Sequence, residues 1–205
     1  MPRLNDVFLV GVVLDRASVK VNAQGETVQA ALPVQVIHGR RQTGSPFEIK
    51  IANEGYDDLW ILSSDPEQIE EILGCEPFDA IEVKGCLRVA VINKKMFCPE
   101  CGEKVLKKGT KTTVFPIYFA NRGKAYSFTE EITKDNVGMA RTESIDYLRK
   151  RVEISNLAKL IGVVCKEPQL FKHDRTSRLM LSFPLAVKRK FYLVNDNFRL
   201  DVDFP

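Results

Sequence analysis

The 205-residue chain lacks any run of about 18 apolar residues, so no segment is suited to cross a membrane as a helix. Cysteine is sparse and odd in number: five thiols spread along the chain make no disulfide framework and fit a reducing compartment. Charge of one sign is not in excess either. Thirty Lys+Arg against 27 Asp+Glu leave +3, too little to identify a polyanion partner, so a nucleic-acid surface must come from local clustering. No Gly-rich phosphate loop, HExxH or GxSxG occurs, and two histidines in non-motif positions leave few general bases. The carboxylate pairs Asp57-Asp58, Glu70-Glu71 and Glu130-Glu131 read as solvated charge, so no enzyme, no catalytic residue and no cofactor is expected. The opening apolar stretch, Val7 to Val13, is seven residues long and has no secretory cleavage site after it, which predicts a cytoplasmic protein. What is present is ordinary: 44% hydrophobic and 28% charged residues, enough to bury a core without staples.

The most informative feature is an internal repeat at an offset of 151 residues. Asn5 falls on Asn156, Leu9 on Leu160, Gly11-Val12-Val13 on Gly162-Val163-Val164, Pro33 on Pro184, Val36 on Val187 and Phe47 on Phe198. These eight identities compare with about three expected from average residue usage. Each copy opens with a β-branched run bent at a glycine, continues through a polar connection to a second strand (Val28 to Arg40, matched by Leu179 to Phe191), and reaches a third (Phe47 to Ile51, matched by Phe198 to Val202). Only the first copy goes on. Asp65-Pro66-Glu67-Gln68 supplies an N-cap, a proline at the first helical position and a glutamine at the capping-box position, and Gly74 ends the helix. Ala80 to Val89 then reads as a fourth strand and Thr112 to Ala120 as a fifth. Five strands with one helix between the third and fourth is the element order of an oligonucleotide-binding (OB) barrel.

The expected architecture is mainly β: a complete five-stranded OB barrel with one short helix over residues 1–129, a linker over 130–151 with a short helix across Thr142 to Arg151, and a partial OB-like repeat over 152–205. Three strands without a closing pair leave an open edge in that second copy.

The residues that build this pattern resemble the bacterial and phage-type single-stranded DNA-binding protein (SSB) family. Asn5-x-Val7-x-Leu9-Val10-Gly11 is similar to that family's first strand, and Asn156-x-x-x-Leu160-Ile161-Gly162 with Glu167-Pro168 and Phe183-Pro184-Leu185-Ala186-Val187 is similar to its first hairpin. Asp79 to Leu87 resembles the strand after the helix. The resemblance implies an OB fold that binds single-stranded DNA with little sequence preference in replication, recombination or mobile-element maintenance. It also implies a homo-oligomer and contacts with replication or recombination proteins. A second copy expected to stop after its third strand, an expected absence of the acidic recruiting tail, and the insertion Cys98-Pro99-Glu100-Cys101-Gly102 are the departures from the family's pattern.

Single-strand binding needs cations along the phosphates and rings on which bases stack. Three clusters have that composition. The end of the second strand offers Arg40 and Arg41, and its counterpart in the second copy offers Lys188, Arg189, Lys190, Phe191 and Tyr192. The hairpin between strands four and five offers Arg88, Lys94, Lys95 and Phe97, then Lys107, Lys108 and Lys111, with Tyr118 and Arg122 beyond. The bland alternative for each is a solvated strand end or a lysine that discourages edge pairing. Phe115, Ile117 and Phe119 share one face and Tyr118 the other, so Tyr118 is the better stacking candidate, while Trp60 is as suited to a core or an interface as to stacking. Cys98-x-x-Cys101 is half a zinc ribbon without a second Cys or His pair nearby; a decayed ribbon is favoured over a zinc shared between two chains or a redox pair, so no metal is expected. The alternative function is an OB-derived assembly module that uses the open edge of the second copy and has no nucleic-acid affinity.

Overall fold

The computed structural model describes residues 4–39, 54–97, 101–102, 104–152, 154–172, 179–188 and 202–203. The chain forms two compact units, one of Asp6–Leu87 with Thr113–Ala158, the other of Met1–Asn5, Arg88–Thr112 and Lys159–Pro205.

The first unit holds a closed barrel. Strand β1 (Leu4–Val13) pairs antiparallel with β3 (Thr27–Gly39) through Val12↔Gln35 and Val13↔Val34. Strand β3 pairs with β4 (Glu54–Ser63) from Ala30↔Ser63 to Gly39↔Glu54, and β4 runs parallel to β6 (Lys104–Lys124) at Ile61↔Val114. Strand β6 neighbours β5 (Asp79–Phe97), and β5 returns to β1 from Val7↔Gly85 to Val12↔Ala80, closing the ring. Helix α1 (Pro66–Leu73) lies between β4 and β5 in the chain. This is the OB order, with the helix where the sequence places it. A short strand, β2 (Ser18–Val21), occupies what reads in sequence as a polar connection and forms a hairpin with β3.

The interior follows from the alternation of β3, whose Ala30, Leu32, Val34 and Val36 are all fully buried. They pack with Leu9, Ile61, Ile81, Val83, Val114 and Phe119, and α1 plugs this core with Ile69 and Ile72. Asp65 caps α1 by accepting from the amides of Glu67 and Gln68. Gln68 does not close a capping box. Its side chain accepts from Ser63 Oγ at 2.8 Å and donates to the Ile117 carbonyl at 3.3 Å, tying the helix start to β4 and β6.

Helix α2 (Val137–Arg149) is the helix expected near residues 142–151, and it begins earlier, at Val137. Its Leu148 packs with Val12, Ile37, Ala80 and Ala125 on the outside of the barrel. That second layer explains why burial in β1 stops alternating and becomes continuous from Leu9 to Val13. Ser155 follows at a seam. Pairing of β1 with β3 ends at Val12↔Gln35, and where Val10 and Ile37 would meet next, Ser155 sits between them. Its carbonyl accepts from the Val10 amide, while its Oγ donates to the Val10 carbonyl at 2.7 Å and accepts from the Ile37 amide at 3.1 Å.

The second copy consists of β7 (Asn156–Ile161), β8 (Val163–Val164), β9 (Gln169–Lys172), β10 (Leu179–Ser182), β11 (Leu185–Lys188) and β12 (Val202–Asp203). Its registers repeat those of the first copy. Val163↔Ala186 and Val164↔Leu185 match Val12↔Gln35 and Val13↔Val34, and Ser182↔Gln169 matches Ala31↔Ser18. The amide of Cys165 donates to the Pro184 carbonyl at 3.0 Å as that of Leu14 does to Pro33 at 2.9 Å. A Cβ on Gly11 would press on the Gln35 carbonyl, and one on Gly162 would overlap that of Ala186, so the shared glycine serves the same close approach in both copies.

The gapless match ends at the third strand. Val187 pairs with Asp203, 16 residues on, whereas Val36 pairs with Asp57, 21 residues on. The expected third strand of the first copy, Phe47 to Ile51, lies outside the described residues. The strand that pairs with β3 there is β4, which the sequence reading does not place. Equivalent side chains also differ in burial: Leu32 and Ala30 are at 0% exposure, their counterparts Phe183 and Leu181 at 44% and 58%. In the first copy α1, β5 and β6 cover this surface, and among the described residues the second copy has no counterparts of them.

Candidate nucleic-acid interface

In an OB barrel the second and third barrel strands and the loop between the fourth and fifth form the usual binding surface. Here these are β3, β4 and the β5–β6 hairpin. The side of β3 and β4 opposite the core presents the cross-strand pairs Ala31↔Leu62, Pro33↔Trp60 and Gln35↔Asp58, with Tyr56 beyond them. Trp60 therefore lies on the outward side of a strand. The signal for it was the alternation of Leu59 and Ile61 around it, obscured by Asp57 and Asp58.

Those two carboxylates are tolerated in a strand because each has partners. Asp57 Oδ2 meets His38 Nδ1 at 2.9 Å and accepts from Asn156 Nδ2 at 3.1 Å, and Asp58 accepts from Gln35 Nε2 at 3.1 Å. Neither β3 nor β4 contains a lysine or arginine, and Glu54, Asp57 and Asp58 give the pair of strands a net −3.

The hairpin is the opposite. Strands β5 and β6 are 19 and 21 residues long, longer than the spans expected from sequence, and their Arg88–Thr112 portion belongs to the other unit. Residues 88–112 carry seven Lys or Arg against two Glu, net +5, which exceeds the +3 of the whole chain. Arg88, Lys94 and Lys95 lie on β5, and Phe97 at its end is 67% exposed. Lys107, Lys108 and Lys111 lie on β6, with Lys108 exposed and Lys111 half-buried.

Tyr118 and Arg122 are exposed on the barrel portion of β6, and each is engaged. Arg122 reaches Glu82 through Nε at 3.2 Å and a terminal nitrogen at 2.8 Å, and donates to Tyr118 Oη at 3.1 Å. The bond to Glu82 raises the pKa of Arg122 further. Phe119 is buried in the core and Ile117 is exposed.

In the second copy Lys188 ends β11. Arg40, Arg41, Arg189, Lys190, Phe191 and Tyr192 lie outside the described residues, as does Cys98, whereas Cys101 is an exposed free thiol. Cys165 is exposed, while Cys75 and Cys86 are buried. Burial, with the Asp79 carboxylate nearby, pushes the Cys75 thiol up to about 12, which makes it a poor nucleophile. Lys124 is held by Glu76 at 2.6 Å and Asp79 at 3.0 Å; burial pulls its pKa down, but these partners outweigh it and leave it raised.

No protein-family model matches the chain, and no curated protein matches its sequence. Among solved structures it is similar to the wild-type single-stranded DNA binding protein from Thermus aquaticus, at 16% identity and TM-score 0.48 over 100% of this chain and 72% of that one. It is also similar to the Plasmodium falciparum SSB in complex with ssDNA, at 15% identity and TM-score 0.41 over 58% of this chain and 94% of that one. A third is the small single-stranded DNA-binding protein from Streptomyces coelicolor, at 12% identity and TM-score 0.39 over 59% and 95% respectively. The fold itself rests on strand order: β1, β3, β4, β6 and β5 close a five-stranded OB barrel with α1 between its third and fourth strands.

Proposed function

We propose that the protein is a non-catalytic binder of single-stranded DNA, acting in replication, recombination or mobile-element maintenance as a cytoplasmic oligomer. The observation that carries this is the net +5 concentrated on the β5–β6 hairpin of an OB barrel. Lysines there neutralise successive phosphates and release counterions, and exposed rings such as Phe97 offer stacking surfaces that every base can use. Both interactions ignore base identity, which accounts for low sequence preference.

The test is fluorescence anisotropy of a labelled dT oligonucleotide at low and moderate salt, with a duplex of equal length alongside. Binding to the single strand that weakens steeply with salt is expected. No binding at low salt overturns the proposal and turns attention to assembly through the exposed apolar strands of the second copy.

A further inference from the structure

We propose that the phosphate path has moved off the β3–β4 face, which OB barrels ordinarily use, and follows the basic β5–β6 arm and the unit to which that arm belongs. This rests on the single-strand reading above and goes beyond it by excluding one of the two surfaces the fold makes available.

The charge partition supports it. The barrel unit carries 13 Lys+Arg against 20 Asp+Glu, net −7, and the other unit 17 against 7, net +10. The chain's near-neutral +3 thus conceals two units of opposite sign. A phosphate chain laid along β3 and β4 would meet Asp58 beside Trp60 and no lysine or arginine on either strand. Among the described residues of these two strands no cation replaces its counterions, and since their release dominates non-specific affinity, Trp60 and Tyr56 would have to hold that stretch by stacking against a repulsive field. His38, the one titratable base on these strands, is turned to Asp57 at 2.9 Å. Along the arm the balance reverses: cations recur on both strands and Phe97 is open to solvent.

Two variants separate the surfaces. One changes Lys94, Lys95, Lys107 and Lys108 together to Ala; the other carries Trp60→Ala. Both are first checked for a wild-type unfolding profile and then titrated with dT oligonucleotide across a salt series. The arm variant is expected to bind at least about tenfold more weakly at low salt, with a log–log salt slope shallower by about 0.7 for each phosphate that is no longer neutralised, close to 3 in all. Trp60→Ala is expected to stay within about twofold of wild type. A loss of about fivefold or more in Trp60→Ala, the least that removal of a base stack gives, overturns the inference, and so does an unchanged slope in the arm variant. Photocrosslinking of unmodified protein to an iodouracil-substituted strand gives a readout independent of folding: adducts on the arm are expected, and adducts on Trp60 or Tyr56 overturn it. Absence of wild-type binding at low salt is the distinct result that removes the underlying function.

Discussion

Replacing Ser155 by alanine tests how the barrel seam is held. The side chain is at 0% exposure and bridges two strands that have stopped pairing, donating to the Val10 carbonyl at 2.7 Å and accepting from the Ile37 amide at 3.1 Å. Alanine removes one oxygen and leaves a void too small for a water, so neither backbone group regains a partner from solvent. A buried polar group stripped of its partner costs about 1–3 kcal/mol, and two such groups together about 2–4 kcal/mol once the Val10 carbonyl's second lone pair is allowed for. For a chain of this size each kcal/mol lowers the melting temperature by about 2–4 °C, so a drop of about 5–15 °C is expected in thermal unfolding followed by circular dichroism. Amide exchange at Ile37 should accelerate in parallel. Asn156→Ala is the matched control: it removes an exposed bond to Asp57 one residue away and should cost under about 1 kcal/mol. A Ser155→Ala protein that melts within about 2 °C of wild type, with Ile37 still protected, refutes the bridging role.

Two other consequences follow from buried groups of the barrel. Cys75 has its folded pKa raised from 9.0 to about 12 by burial and the Asp79 carboxylate, so it holds its proton in the folded state where the unfolded chain releases it. Its contribution to stability is therefore complete below about pH 9 and is lost as pH rises towards 12; urea midpoints of wild type minus Cys75→Ala should decline over that window, and a flat difference counts against the assignment. Ile72→Ala empties the fully buried seat of α1 against the core and should lower unfolding free energy by about 2–5 kcal/mol in urea titration, whereas a loss under about 1 kcal/mol would mean that the helix does not plug the barrel.

Much of the fold was legible because local chemistry and global packing agree. The cap Asp65, Pro66 at the first helical turn and Gly74 after it fix α1 without reference to anything distant. The repeat is visible because the same close approach of strands one and two demands glycine at 11 and 162 and apolar residues around them. Strand β4 was illegible because Asp57 and Asp58 are poor strand formers by themselves; their partners His38, Asn156 and Gln35 come from other parts of the chain. The candidate site was read as a set of basic clusters. What the residues could not give is that Arg122 is committed to Glu82, 40 positions away, or that Trp60 faces outward beside Asp58 and Pro33.

The sequence by itself determined helix α1 between the strands, the 151-residue repeat with the register its two copies share, and where the cations lie along the chain, since these depend on period, spacing and composition. Tertiary structure alone decided which of two matching apolar surfaces is buried, because burial of Leu32 needs α1, β5 and β6 around it while Phe183, its counterpart in the repeat, has 44% of its surface exposed. It also decided the charge pattern: Met1–Asn5, Arg88–Thr112 and Lys159–Pro205 are separated in sequence by parts of the barrel, and only folding gathers them into one unit of net +10 while the barrel unit keeps net −7. Coulomb interactions act through space rather than along the chain, so a nearly neutral composition becomes a strongly basic unit only after the fold has sorted it.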